Sequence, residues 1–249
     1  MSNATERIHV VLARQGVGSR REIEGWIKKG YIAVNDKPAR LGQKIDLTVD
    51  RVKVRGKALS LTSSQNVRPV ALILHKPRGV VTTLKDPQGR RTVSDLVPTS
   101  HRLFPVGRLD YNSEGLLLMT NDGELAQRLT HPRYEVSKTY EVKIRGNLDE
   151  SKIQHLKLGV KTGATRFKGA EILSVKDVTS TGVKKYEVCV RIYEGQNREV
   201  RKMFEALRCR VIRLKRVAMG KLQLKGVPYG GYRFLSPVQI RSLRSSVGL

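Results

Sequence analysis

Apolar residues recur along this chain at helical spacing in some stretches and in alternation in others, and the switches mark its elements. Ile8, Val11 and Leu12 fall at helical spacing and stop at Gly16-Val17-Gly18, which predicts a short helix. Ser19-Arg20-Arg21-Glu22 reads as a capping box: the Ser19 side chain accepts from the Glu22 amide, and the Glu22 carboxylate accepts from the Ser19 amide. The helix it opens carries Ile23, Trp26 and Ile27 on one face and ends at Gly30. Short strands follow at 31–34 and 52–54, with the turn-rich Asn35-Asp36-Lys37-Pro38 after the first. The polar stretch Thr62-Ser63-Ser64-Gln65-Asn66 reads as a break. The chain is therefore predicted to divide into a small unit at 6–62, a linker at 63–68 and a larger unit at 69–245.

In the larger unit, 70–74 and 80–84 read as strands around the turn Lys76-Pro77-Arg78-Gly79. A continuous apolar run at 116–120 is of the kind buried strands use. Asn121-Asp122-Gly123 turns into a helix through Leu125, Ala126 and Leu129, closed by Pro132. Residues 139–145 alternate, and so do 185–193. Asp149 caps a helix through Ile153 and Leu156 that ends at Gly159. Residues 197–207 carry the stripe Val200, Met203, Phe204 and Leu207, 210–217 returns as a strand, and Ser236-Pro237 opens a last helix. Strands dominate, and the helices are too few for a doubly wound parallel sheet, so the expected class is α+β.

Charge changes the picture most. Among 249 residues, 48 are Lys or Arg and 22 are Asp or Glu, a formal net charge of +26. That excess predicts a polyanionic partner and salt-dependent binding. A basic membrane-surface protein is the competing reading, but there is no signal-peptide pattern and no apolar run of spanning length, so a soluble cytoplasmic protein is expected. Cys189 and Cys209 have no metal-site spacing, the five histidines never stand at i, i+4, and no nucleotide-binding glycine fingerprint occurs. Neither a metal nor a cofactor is expected, which leaves the chemistry to side chains.

Three positions are candidates for that chemistry. Asp110 lies in a polar, glycine-flanked loop, with Arg108 two residues ahead. Alone, a loop aspartate more often caps its own backbone. Tyr140 is a strand tyrosine that either packs in a core or offers a ring on which a base stacks. Arg201 lies at the edge of the Val200 stripe, near Arg198 and Lys202, where it can be partly buried and pair with a carboxylate. Arg20 and Arg21 in the first turn of their helix, beside its free amides, make a candidate phosphate site.

The order and wording of these pieces resemble the RsuA-type family of ribosomal RNA pseudouridine synthases. The resemblance rests on Leu74-His75-Lys76-Pro77-Arg78-Gly79, on Gly107-Arg108-Leu109-Asp110 through Gly115-Leu116-Leu117-Leu118-Met119-Thr120-Asn121-Asp122-Gly123, on Lys138-Thr139-Tyr140, and on Glu194 to Phe204. The N-terminal unit resembles the RNA-binding domain named after ribosomal protein S-four. Residues 12–24 are worded like the large-subunit, RluB-like branch.

The resemblance implies a mixed, mainly antiparallel sheet with flanking helices and isomerisation of uridine to pseudouridine without a cofactor. It implies Asp110 as the catalytic aspartate, acting as nucleophile or as base. Tyr140 would stack on the target base and assist proton removal, and Arg201 would pair with the aspartate. Arg108, Lys76, Leu214, Arg198, Arg20 and Arg21 are the candidate substrate contacts. Gln196 and Ser113 depart from the family, which often has a basic residue and a threonine there. The implied partner is ribosomal RNA, from the large subunit or a pre-ribosomal particle, with the protein a monomer. The same chemistry on small-subunit ribosomal RNA or tRNA, and a non-catalytic RNA-binding assembly factor, are the alternatives.

Overall fold

The computed structural model describes residues 5–61, 68–180 and 182–249. The chain separates into two compact units, residues 1–69 and 70–249. Residues 62–67, which include most of the expected linker, lie outside the described residues.

The first unit runs β1 (Glu6–Arg7), α1 (Ile8–Arg14), α2 (Arg20–Lys28), β2 (Ile32–Val34), β3 (Lys37–Pro38), β4 (Lys44–Ile45), β5 (Val52–Val54) and β6 (Lys57–Leu59). The capping box at Ser19 forms in both directions, at 3.2 and 2.7 Å. β2 and β3 form a hairpin whose turn residues Asn35 and Asp36 both have left-handed backbone, φ 51 and 63. Asn and Asp tolerate that conformation better than other side chains, which is why the polar pair sits there. Ile8, Val11, Leu12, Ile23, Ile27, Ile32, Ile45 and Val52 form this unit's core.

The second unit is built on a nine-stranded sheet. Its elements are β7 (Ala71–Lys76), β8 (Phe104–Pro105), β9 (Glu114–Thr120), α3 (Gly123–Thr130), β10 (Lys138–Arg145), α4 (Glu150–Leu158), β11 (Val160–Thr162), β12 (Thr165–Phe167), β13 (Glu171–Asp177), β14 (Lys185–Ile192), α5 (Glu199–Ala206), β15 (Arg210–Met219), β16 (Leu222–Gln223), β17 (Tyr232–Phe234) and α6 (Pro237–Ser245). The strand order is β13-β14-β10-β15-β9-β7-β17, with β16 on β15 and β8 on β9. The β9–β15 pair is parallel and the other pairs are antiparallel, so the fold is α+β on a mixed, mainly antiparallel sheet.

The middle of the sheet is buried on both faces, and strand parity divides the core. Leu72, Leu74, Leu117 and Met119 join Tyr140, Val142, Leu214, Val200 and Phe204 on one face. Ala71, Ile73, Leu116 and Leu118 pack with Leu125, Leu129, Ile240 and Leu243 of α3 and α6 on the other. This explains why 116–119 is apolar without alternation. Gly115 has φ +111, and a Cβ there would lie 2.2 Å from the Arg216 carbonyl oxygen. Only glycine allows β9 and β15 to approach so closely.

Three expectations change. Residues 80–84 are not a strand. Val81 makes a single bridge to Thr92, and Thr82 turns its hydroxyl to the Leu109 backbone instead. β13 and β17 were not expected as strands. They are the two ends of the sheet, and β13 is exposed along nearly its whole length, so it carries no alternation to detect. The β11–β12 hairpin has no signal in the sequence pattern either, because three-residue strands give too little of it.

Candidate active site

Asp110 stands in the loop between β8 and β9, half-buried. Every backbone carbonyl from Leu109 to Ser113 is held by a donor. The Thr82 hydroxyl donates to the Leu109 carbonyl at 2.7 Å. Lys76 Nζ donates to the carbonyls of Asp110 at 3.1 Å and Ser113 at 2.8 Å. The Gly79 amide donates to the Tyr111 carbonyl at 2.8 Å, and Arg201 Nη2 donates to the Asn112 carbonyl at 2.8 Å. The Ser113 amide closes the loop on the Asp110 carbonyl at 3.0 Å. The Asp110 carboxylate itself has no hydrogen bond and no ion pair within 4.0 Å among the described residues. A loop tied at every carbonyl thus presents one carboxylate whose acceptor capacity is unspent.

Lys76, expected to touch substrate, has a different position. Its side chain is 0% exposed, and its third hydrogen bond goes to the Pro77 carbonyl at 3.0 Å. An enclosed ammonium with all three protons on carbonyls has none left for a phosphate. Burial pulls its pKa down to about 8, while the charges of Asp110 and Glu114 pull it back up. It stays a cation at neutral pH and serves as a strut under the loop.

Arg201 lies on α5, 7% exposed. The expected pairing with Asp110 involves no hydrogen bond and no contact within 4.0 Å. Nη2 is committed to the Asn112 carbonyl and, at 3.3 Å, to Ser113 Oγ, and Nε is buried without a partner among the described residues. Asp110 and Arg201 still interact through their charges. Burial lowers the Arg201 pKa, Arg198 acts in the same direction, and Asp110 opposes both.

Tyr140 sits on β10, 8% exposed, with no hydrogen-bond partner for its hydroxyl among the described residues. It shares a sheet face with Leu214, whose strand neighbour across the ladder is Val142. Leu109, Tyr140, Leu214 and Val200 belong to one apolar cluster, which brings the residue before Asp110, the tyrosine strand and α5 together. Arg198 is exposed at the start of α5 and lies 3.6 Å from Glu205. Arg108 is exposed and has no side-chain partner among the described residues. Arg20 and Arg21, in the first unit, are exposed on the first turn of α2 and likewise lack an acidic partner among the described residues.

Lys138 is a further structural residue of the site, which its motif alone does not mark. Its Nζ donates to the carbonyls of Val136 at 3.0 Å and Glu194 at 2.6 Å, so it ties β10 to the loop that leads into α5. Its parity with Tyr140, Val142 and Ile144 is the signal that places it inward.

Among the described residues no group of three or more His, Cys, Asp or Glu could hold a metal, and no helix is long and apolar enough to cross a membrane.

Comparison with known proteins bears on the whole arrangement. Residues 70–206 match the family model described as RNA pseudouridylate synthase, and residues 6–50 match the S4 domain. The chain is 39% identical over 244 residues to ribosomal large subunit pseudouridine synthase B of Bacillus subtilis, covering 96% of each chain. It is 41% identical over 251 residues to the Vibrio vulnificus protein of the same name, covering 98% of this chain and 76% of that one. A solved structure of a pseudouridylate synthase matches with a TM-score of 0.64 at 25% identity, over 95% of this chain and 99% of the other. The family match over residues 70–206 and the sequence identity sustained over both units make the chain a member of the RNA pseudouridylate synthase family, with an S4 domain ahead of the synthase domain.

Proposed function

We propose that the protein converts uridine to pseudouridine in large-subunit ribosomal RNA, with Asp110 as the reacting carboxylate. The observation that carries this is the loop 109–113, whose carbonyls are all held while its carboxylate is free. Such a group acts without first breaking a protein hydrogen bond, and the frame keeps it in place while the base moves. The relatives named for the large subunit support the choice of RNA.

In this reading the target uridine leaves its stack and enters beside Tyr140, whose ring faces the base. Asp110 attacks the anomeric carbon or removes a proton at the neighbouring ribose position. The bond from ribose to N1 breaks. The uracil turns and a bond from the same ribose carbon to C5 forms; in the first route the Asp110–carbon bond breaks as it does so, and in the second Asp110 returns the ribose proton. The C5 proton then leaves, and N1 gains a proton. Atoms and electrons balance without a co-reactant. Arg201 braces the loop and supplies positive potential near Asp110, Leu214 walls the pocket, and Arg108 and Arg198 meet the RNA backbone. The unit at 6–62, through Arg20 and Arg21, adds a second hold on the RNA, and the unit at 69–245 carries out the chemistry. The protein works as a monomer in the cytoplasm, where ribosomal RNA is assembled into subunits.

Mapping pseudouridines in ribosomal RNA with and without the protein tests the reaction and its site. Asp110→Asn should keep the melting temperature and RNA affinity of the parent, since the carboxylate makes no hydrogen bond among the described residues. It should lose pseudouridine formation altogether. Retained turnover in that variant would rule out the assignment of Asp110.

A further inference from the structure

Beside the Asp110 loop lies a cleft of about 440 Å³, lined by Asn112 and by five cations: Arg78, Arg145, Lys185, Arg201 and Arg210. None of the five has a carboxylate within 4.0 Å among the described residues. The rest of the same sheet behaves differently. On β10, β13, β14 and β15 three cations pair with an acid that stands in register opposite them: Lys143 with Glu187 at 3.2 Å, Arg191 with Glu171 at 3.0 Å, and Lys215 with Glu141 at 3.8 Å. Where Lys143 also faces Arg213, each of the two has its own carboxylate, Glu187 and Glu114. At the last residue of β10, beside the first residues of β14 and β15, no acid stands opposite. Arg145 stands in register opposite Lys185 on one side and opposite Arg210 on the other. Like charges directly opposite destabilise a ladder, so three in a row call for an anion that the protein does not supply. Arg201, whose Nε is buried without a partner among the described residues, is one of the lining residues.

We infer that this cleft binds the phosphodiester backbone of the substrate RNA strand immediately beside the target uridine. The inference rests on the uridine-isomerising reading of the Asp110 site. The cations of three adjacent strands form a row about 10 Å long at a strand spacing of about 4.8 Å. At about 3.4 Å of axis per charge along one strand, such a row faces two or three phosphates. Asn112, two residues from Asp110, joins the row to the reacting loop. The cleft therefore sets which neighbours of the uridine are gripped while it is turned out, and it reads backbone path rather than base identity.

The test compares two triple variants of equal charge loss, R145Q/K185Q/R210Q and K143Q/R191Q/K215Q. Binding to a transcript of large-subunit ribosomal RNA is measured across a salt series, together with pseudouridine formation by the parent and melting without RNA. The cleft variant should show a slope of log affinity against log salt that is shallower by about 2, at about 0.7 per lost phosphate contact. Its melting temperature should be unchanged or higher, because a repulsion is removed. The control variant should move the slope by less than half as much. An unchanged slope in the cleft variant overturns the inference, and so does an equal change in both variants, which would mean diffuse attraction only. A fall in melting temperature of the cleft variant alone also overturns it, by making the row structural. A parent that forms no pseudouridine sinks the reading of the Asp110 site and this inference with it, whereas an active parent with an unaltered slope sinks this inference alone.

Discussion

Two loops serve the candidate site, one directly and one through α5, and each is held by a buried lysine, yet they are held to different degrees. The 109–113 loop is tied at all five carbonyls by donors from β7, the turn after it, the loop itself and α5. The loop before α5 is tied by Lys138 at Glu194, and by the Glu199 carboxylate, which accepts from the Gln196 amide at 2.8 Å. It then passes through the left-handed Arg198, φ 54, into the helix. The first loop carries the proposed reacting group, so any slack there moves that group. The second sets where α5 begins, and hence where Arg201 reaches. Full bracing belongs where the atoms react, and partial bracing suffices one layer away.

The difference can be broken by removing one strut at a time. Lys76→Met keeps the length of the side chain and removes three hydrogen bonds, leaving the Pro77 and Ser113 carbonyls without a side-chain donor while the Asp110 carbonyl keeps the Ser113 amide. It should cost about 3 kcal/mol in denaturant unfolding and lower pseudouridine formation about 100-fold, since small misplacements of a reacting group are costly. Lys138→Met frees two carbonyls and should cost about 2 kcal/mol, with about a tenfold loss of rate. If Lys138→Met were the more damaging in rate, the ranking of the two loops would be wrong.

Titration sharpens the comparison further. Both lysines have a folded pKa of about 8 against 10.5 for the free side chain, with burial the leading cause in each. Below pH 8 both folded and unfolded chains hold these protons, and the burial penalty is present in full. Between pH 8 and 10.5 the unfolded chain binds more protons, so this contribution makes stability rise with pH. The urea midpoint followed from pH 8 to 10 should climb less in each Met variant than in the parent, and by similar amounts. A climb untouched by either substitution would mean that the two ammonium groups are not buried as described. The smallest effect is expected from Ser113→Ala. It removes one 3.3 Å hydrogen bond from Arg201, which keeps its hold on Asn112. Less than about 1 kcal/mol and a few-fold change in rate are expected, read by the same unfolding and turnover assays.

Much of the scaffold is legible in the residues. The capping box at Ser19, the Asp149 cap on α4, the apolar run of β9 and the alternation of β10 and β14 all lie where local pattern places them. Residues 80–84 mislead because Val80, Val81 and Leu84 look like a strand, while Thr82 spends its hydroxyl on Leu109 rather than leaving the segment to a ladder. β13 is hidden because an exposed edge strand buries no face. In the site, the wording around Asp110, Tyr140 and Arg201 singles those residues out, but it does not tell a strut from a contact. Lys76 reads as one more cation in a basic chain, and only the folding of the Asp110 loop brings the carbonyls of Asp110 and Ser113 onto its ammonium.

The sequence by itself determined a polyanion-binding chain of +26, two units, an α+β class, and a motif order that marks one loop. These follow from local periodicity, end caps and summed charge, which need no knowledge of distant contacts. Only the tertiary structure decided that Lys76 holds the Asp110 carbonyl from 34 residues away, that Arg201 binds the Asn112 carbonyl from 89 residues away, and that Arg145, Lys185 and Arg210 share one row. Hydrogen-bond partners and strand register depend on which backbones come to lie side by side, and that is settled by the packing of the whole sheet.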